Sequence, residues 1–265
     1  MKILSLHQSP NKKTSWLLIF SLQQPNFPNV HLFLRKSIKQ MNSIKIRKSI
    51  LYGIASVLIY FLFSTITMFF YSGGDQFNPA LPHYNFFGSF LSDLGRTQGF
   101  SGNPTYGTAL FYALGLIIMG SGTIIFFIAH NYLILKSNTL LRYASNAAGI
   151  LAGLGYIGIA FTPWNLWPKI HLFFVFTGFL SFMAASMLLF ILIRQQPGYP
   201  KAYGNLYLLI GVLIGSYVLL LLYGPDSHEP WGRIVQSTGQ KIVVYSQSLL
   251  ILVCGVGALK LCQQD

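Results

Sequence analysis

This sequence predicts an all-α integral membrane protein in which six transmembrane helices form a bundle. Hydrophobic residues make up 53% of its 265 residues and charged residues only 9%, whereas roughly 25% are charged in a typical soluble domain. So few charges cannot cover a water-facing surface, and lipid must be the solvent for most of the chain. Helices are favoured over strands because each satisfies its backbone hydrogen bonds within one segment.

Six apolar runs define the predicted transmembrane domain, residues 41–265. Each is close to the roughly 20 residues that cross about 30 Å of hydrocarbon, and none has a charged residue in its middle. The predicted spans are 49–71, 106–129, 143–161, 171–193, 206–223 and 242–261. His130, at the end of the second span, is predicted to be an interfacial residue.

Residues 1–40 are predicted to be an extension outside this domain. They contain no acid, and their one apolar stretch, 16–22, is too short to span a membrane. Met41 starts a segment that leads directly into the first span, so we expect residues 1–40 to be disordered, weakly interfacial or absent from the native protein. A transit peptide is the alternative, although Arg35 is the only arginine of this stretch.

The net charge of +13 is distributed so that it orients the bundle. Fourteen of the eighteen Lys and Arg residues fall on the side of the termini, and only Arg96, Lys169, Arg233 and Lys241 fall on the other. Basic flanks stay in the cytoplasm. We therefore predict cytoplasmic termini in a cell membrane, as in a bacterial inner-membrane protein. The basic residues flank spans rather than forming a groove-reading patch, so the bilayer is the predicted partner and nucleic acid is not.

Small residues at four-residue spacing predict close packing between helices. Gly149 and Gly153 form such a pair in the third span, and Gly211 and Gly215 form another in the fifth. Packing within one chain is the simpler interpretation. A homo-oligomer formed through the same faces is the alternative.

The first external loop, residues 72–105, contains a segment with helical periodicity. Apolar residues recur there at helical spacing, at Phe86, Phe87, Phe90, Leu91 and Leu94. Asn85 can begin such a helix and Gly95 can end it. Residues 85–95 are therefore predicted to form a short amphipathic helix at the outer interface, with a lid over a cavity as the alternative.

Ionisable residues on the predicted outer face are the candidates for a site. Asp93, Arg96, His171 and His228 are the candidate ligand-binding residues. Of these, Asp93, His171 and His228 could also hold a metal ion that activates water against a lipid ester or amide, as in a metal-dependent hydrolase. A small-molecule carrier is the second alternative. The plainer interpretation is solvated loops with an Asp93–Arg96 ion pair on adjacent turns.

Known catalytic motifs are absent from the sequence. There is no HExxH, no phosphate-binding glycine loop and no GxSxG elbow. No catalytic residue or cofactor is therefore assigned. The leading prediction is a six-span membrane protein that is non-enzymatic or of unassigned molecular function, with the candidate ligand site on its outer face.

One motif resembles a known family. Asn85-Phe-Phe-Gly-Ser-Phe-Leu-Ser-Asp-Leu-Gly-Arg96, followed by Gly102-Asn-Pro104 and an apolar span, resembles the bacterial membrane family called domain of unknown function 998. The resemblance implies a small multi-span protein with a Ser-Asp-Leu-Gly-like motif after the first span and a histidine opening a later span, which His171 matches. It covers roughly residues 49–261 and implies no activity. The N-terminal extension departs from the family pattern.

Overall fold

A computed structural model describes the backbone of residues 28–262 and the side chains of residues 43–262. The chain divides into two compact units, Met1–Ser43 and Ile44–Asp265, and the second contains the site considered below. Of the predicted N-terminal extension, residues 1–27 lie outside the described residues. Residues 28–40 belong to the first helix.

Six helices in the described part of the chain are long and apolar enough to cross a membrane, which confirms the six-span prediction. They are α1 (Pro28–Phe70, with the span Ser43–Phe70), α2 (Tyr106–Asn131), α3 (Thr139–Phe161), α4 (Pro168–Gln195), α5 (Lys201–Tyr223) and α6 (Pro230–Leu261). A 3-10 helix, η1, covers Leu91–Gly95.

The sixth helix begins well before the predicted start of its span. We expected the span to begin at residue 242, but α6 begins twelve residues earlier, with Pro230 in its first turn. Proline is well suited to that position because the first turn has no use for its missing N–H. The prediction was wrong because Arg233 and Lys241 lower the local hydropathy, although both side chains are buried.

Consecutive helices pack side by side from α2 to α6, and α1 packs on α2 and α6. A Cβ atom on Gly153 of α3 would overlap the carbonyl oxygen of Gly120 on α2, so the two backbones touch there. Gly149 faces Phe127 of α2 in the same way. Gly211 of α5 faces Met187 of α4. These small residues pack within the chain, and homo-oligomerisation stays a prediction.

Two short loops, residues 132–138 and 196–200, lie at the end of the bundle where α6 ends. His130 is fully buried there rather than interfacial, which corrects its predicted position. Its Nε2 lies 2.7 Å from the hydroxyl of Tyr199, a residue of the loop between α4 and α5. The loop therefore supplies the polar partner that the buried imidazole requires.

The loop between α1 and α2, residues 71–105, folds over the opposite end of the bundle, and we call it the cap. Residues 85–95 do not form the predicted amphipathic helix, because only Leu91–Gly95 is helical. Asn85 instead forms a turn, accepting a hydrogen bond from Gly88 N at 3.0 Å and donating one to Asp75 at 2.7 Å. Leu91 and Leu94 are buried in the protein and not at a membrane interface.

Candidate functional site

A polar face on the first three turns of α6 lies beneath the cap. Arg233, Gln236, Ser237, Gln240 and Lys241 follow one another at spacings of three, one, three and one residues, which places them on one side of a helix. All five are buried. We call these five residues the α6 polar face.

The α6 polar face binds the backbone of the cap. Gln240 accepts a hydrogen bond from Leu91 N at 2.7 Å. Ser237 donates to the carbonyl oxygen of Phe87 at 2.5 Å. Both bonds satisfy cap groups that would otherwise be buried without a partner. The cap is therefore fixed to the last helix by residues about 150 positions away in the sequence.

Arg233 and Asp93 form a buried ion pair at the centre of this contact. The Arg233 Nη2 donates to the Asp93 Oδ2 at 2.7 Å, and the two side chains are only 7% and 3% exposed. Arg233 also donates to the Gly88 carbonyl at 3.1 Å and to the Gln76 Oε1 at 2.7 Å. Its guanidinium lies 4.7 Å from the ring centroid of Phe90. Arginine's planar donor geometry thus holds the cap through three of its five N–H groups.

Burial dominates the electrostatics of Asp93. It raises the pKa of this carboxyl above its ordinary value, because the charged form loses its hydration. The Arg233 charge, the N–H of Phe90 at 2.8 Å and the more distant Arg96 each act in the opposite direction. The ionised pair is therefore strongly desolvated, and its stability depends on the charges and hydrogen bonds around it.

Lys241 lies about two turns further along α6 than Arg233 and has no carboxylate within ion-pair distance among the described residues. Its ammonium group donates to the Ser89 carbonyl at 2.5 Å and to the Ser237 carbonyl at 3.3 Å. It lies 5.5 Å and 5.3 Å from the ring centroids of Tyr84 and Phe86. Carbonyl dipoles and aromatic faces, and no direct counter-ion, surround this buried cation.

Arg96 is the partly exposed cation at the edge of the cluster. Its Nε donates to the Gln98 carbonyl at 3.1 Å, and its guanidinium lies 4.0 Å from the Phe100 ring centroid. Burial lowers its pKa, and the charge of Asp93 opposes that shift. The predicted ion pair between Asp93 and Arg96 does not form, because Asp93 pairs with Arg233 instead.

The cluster contains more positive than negative charge. Arg96, Arg233 and Lys241 all interact electrostatically with the single carboxylate of Asp93. The nearby Asp75, which accepts hydrogen bonds from two backbone N–H groups and from Asn85, adds a second carboxylate, so three cations face two carboxylates. In a region of low dielectric constant, such an excess favours a negatively charged ligand.

His171 lies at the same end of the bundle but in a different environment. It is 3% exposed, and its Nδ1 lies 2.6 Å from the Thr162 carbonyl, which can only accept. The neutral ring therefore carries its proton on Nδ1 and leaves the Nε2 lone pair free. The ring borders a cavity of about 10 Å³, with Ser92, Gly95 and Tyr112 among its other walls. That volume holds about one water molecule.

His228 is not part of this cluster. Its Nδ1 lies 2.8 Å from Asp226, with both side chains mostly exposed at 83% and 65%. Of the predicted site residues, Asp93 and Arg96 come together, His171 borders the cavity beneath them, and His228 lies in the loop before α6. Between residues 43 and 262, no group of three or more His, Cys, Asp or Glu residues is placed to hold a metal ion.

Sequence reasoning missed Arg233, Gln240 and Lys241, which were assigned to an external loop. A signal for them exists, because polar residues recur at helical spacing from 233 to 241 and again at Gln247 and Ser248. A hydropathy average conceals this pattern, since it scores the polar face as the end of the span.

Comparisons with protein-family models, with curated proteins and with solved structures give no match to this chain. The resemblance to the family of unknown function is therefore untested. The functional argument depends on the geometry of the cap and of the α6 polar face.

Proposed function

We propose that this chain is a multi-pass protein of the cell membrane that binds an anionic ligand at an extracytoplasmic cap. The ligand carries a carboxylate or phosphate group. The observation that carries the proposal is the excess of cations around Asp93, with Arg96 partly open to solvent. We infer a binding protein and not an enzyme, and membership of the family of unknown function 998 remains part of the proposal.

Unused donors support binding of an anion. Arg233 uses three of its five N–H groups in the described contacts, and Lys241 uses two of its three. The terminal guanidinium nitrogens of Arg96 have no hydrogen-bond acceptor within the described residues. An anion beside Arg96 would use these donors and reduce the excess charge.

The proposed orientation follows from the exposed charges. Two of the four cations on the cap side, Arg233 and Lys241, are buried beneath the cap, which leaves few basic residues exposed there. On the opposite side, the loops and helix ends carry Lys136, Arg142 and Lys201. The positive-inside rule then puts the termini in the cytoplasm and the cap outside.

The two alternatives have less support. A metal-dependent hydrolase needs converging ligands, and the described residues offer no such group. A carrier needs a polar cavity near the middle of the membrane. The cavity beside His171 has room for about one water molecule, and it lies at the cap end.

Anion binding is tested by thermal unfolding of the detergent-purified protein with phosphate, sulfate or acetate against chloride at equal ionic strength. A bound ligand at 100 times its Kd should stabilise the fold by about 2.7 kcal/mol. We expect Arg96→Gln to abolish the shift and Lys169→Gln, a matched change on the same side, to retain it. Equal shifts in both variants, or none in the unaltered protein, would contradict the proposal.

Orientation is tested by cysteine labelling in a Cys262→Ser background. Asn103→Cys lies in the cap and Lys136→Cys in the loop between α2 and α3, and both positions are exposed. A membrane-impermeant maleimide added to intact cells should label the first and not the second. The reverse pattern would overturn the orientation.

A further inference from the structure

A groove of about 410 Å³ runs between the cap-side ends of α1 and α2. Ile66, Thr67 and Phe70 of α1 line one wall, and Gly107, Thr108 and Phe111 of α2 line the other. All six residues lie within the two membrane-spanning segments Ser43–Phe70 and Tyr106–Asn131. The groove therefore opens towards lipid and not towards the cluster of cations itself.

The walls of the groove match a hydrocarbon chain. The two hydroxyl groups already donate to nearby carbonyls of the backbone, Thr67 to that of Phe63 at 2.7 Å and Thr108 to that of Thr105, just before α2, at 2.9 Å. The space beside Gly107 is open, because a Cβ atom there would meet nothing within 4 Å. An apolar, membrane-facing space with satisfied polar groups favours an apolar occupant.

The upper end of the groove is joined to the cation cluster on both walls. On the α2 side, the Thr105 hydroxyl donates to the Arg96 carbonyl at 2.6 Å, two residues before Gly107. On the α1 side, Tyr71 follows Phe70 directly, and its hydroxyl interacts electrostatically with Arg96 and Asp93. That hydroxyl is buried and has no hydrogen-bond partner among the described residues.

We propose that the anionic ligand of the cap is a phospholipid with a negatively charged headgroup. One acyl chain lies in the groove, and the phosphate lies against Arg96 with the Tyr71 hydroxyl as a further donor. This inference rests on the proposed function and names the class of its ligand. It joins two features that are otherwise separate, an apolar groove open to lipid and a cation excess at its end.

Charge complementarity favours a lipid over a second copy of the chain as the occupant. Two copies inserted in one membrane with the same orientation would bring their caps to the same side. The partner would then add another Arg96 and another excess of positive charge. An anionic lipid supplies the opposite charge and an apolar chain together.

The test compares lipid retention in three proteins. The unaltered chain, Gly107→Phe and Val212→Phe are purified from membranes and reconstituted in nanodiscs of phosphatidylcholine with phosphatidylglycerol, and bound lipids are counted by native mass spectrometry. Gly107→Phe fills the groove, whereas Val212→Phe adds the same ring at a lipid-facing position of α5 that is 53% exposed. Gly107→Leu is the second variant if the phenylalanine disturbs folding, and melting temperature checks each fold.

We expect the unaltered chain and Val212→Phe to retain phosphatidylglycerol over phosphatidylcholine, and Gly107→Phe to bind it at least tenfold more weakly. Glycerol phosphate, which has a headgroup and no acyl chain, should still stabilise Gly107→Phe. Equal lipid retention in all three proteins would overturn the inference while leaving anion binding intact. If glycerol phosphate does not stabilise the unaltered chain, both proposals are overturned.

Two other results would also overturn the inference. Equal retention of both lipids, lost in Gly107→Phe, would mean that the groove binds any acyl chain and that Arg96 plays no part. A dimer of the unaltered chain that Gly107→Phe converts to monomer would identify a second copy as the occupant.

Discussion

Removing the charge of Arg233 tests whether a desolvated ion pair holds the cap to the bundle. Arg233→Gln retains a polar side chain but leaves Asp93 opposite a neutral group. The pair is 7% and 3% exposed, so water cannot take the place of the missing guanidinium. The variant therefore exposes Asp93 to the full cost of burial without its closest compensating charge.

Breaking a buried pair from one side typically costs about 3–5 kcal/mol. Asp93→Asn should cost less, because burial already opposes the charged form of this carboxyl and raises its pKa. The double variant leaves neither charge unpaired, so its loss should be no greater than that of Asp93→Asn. The cycle should then give a coupling energy at least as large as the loss in Arg233→Gln, about 3 kcal/mol or more, which is at the upper end for residues in contact.

The assay is reversible unfolding of the purified protein by titration with a denaturing detergent. Asp226→Asn is the control, because it breaks the exposed pair with His228, for which we expect little change. Hydrogen bonds between membrane helices are worth about 0.6 kcal/mol on average. A loss of only that size in Arg233→Gln, or strictly additive single variants, would refute the desolvated pair.

Three further predictions concern helix packing, the opposite end of the bundle and pH. Gly153→Leu should lower the melting temperature by about 2–12 °C, because its side chain would overlap the backbone of α2, whereas Gly107→Ala, with open space around it, should not. Equal melting of the two variants would count against this packing. Tyr199→Phe should cost about 1–3 kcal/mol by removing the hydrogen-bond partner of the buried His130, and unchanged unfolding would contradict that bond. Burial raises the pKa of Asp93, so its contribution to stability is fully present below its unfolded value of about 3.8 and is lost as the pH rises through the folded value. Relative to Asp93→Asn, the unaltered protein should therefore gain stability when the pH is lowered from 7 towards 4, and a relative loss would give the wrong sign.

The membrane-spanning helices could be predicted from sequence because each is defined by its own local composition. The start of α6 could not be predicted by hydropathy, since its first three turns are polar on the side that the cap covers. By hydropathy alone, Arg233 and Lys241 are assigned to a loop. Only their helical spacing relative to the other polar residues indicates that they belong to a helix. The bundle was thus predictable, and the helix that carries most of the site was not.

The conformation of the cap could not be predicted from its own periodicity. Phe86, Phe87 and Leu94 suggested a helix, but the Asn85 side chain competes for backbone groups and turns the chain. The rest of the cap conformation depends on tertiary contacts, because Leu91 N donates a hydrogen bond to Gln240 on α6. Asp93 and Arg96 were predicted as site residues, whereas the true partner of Asp93 lies 140 residues away in the sequence.

The α6 polar face and the cap depend on one another for their structure. Charged groups in a membrane-spanning helix are costly unless they find partners. Arg233 and Lys241 find theirs in the Asp93 carboxylate and in cap carbonyls. Without the cap, the first turns of α6 would expose two cations at the edge of the membrane, and without α6 the backbone of the cap would lose its acceptors and donors. A ligand that binds the cap should therefore stabilise the start of α6 as well, which links occupancy at Arg96 to the order of the last helix.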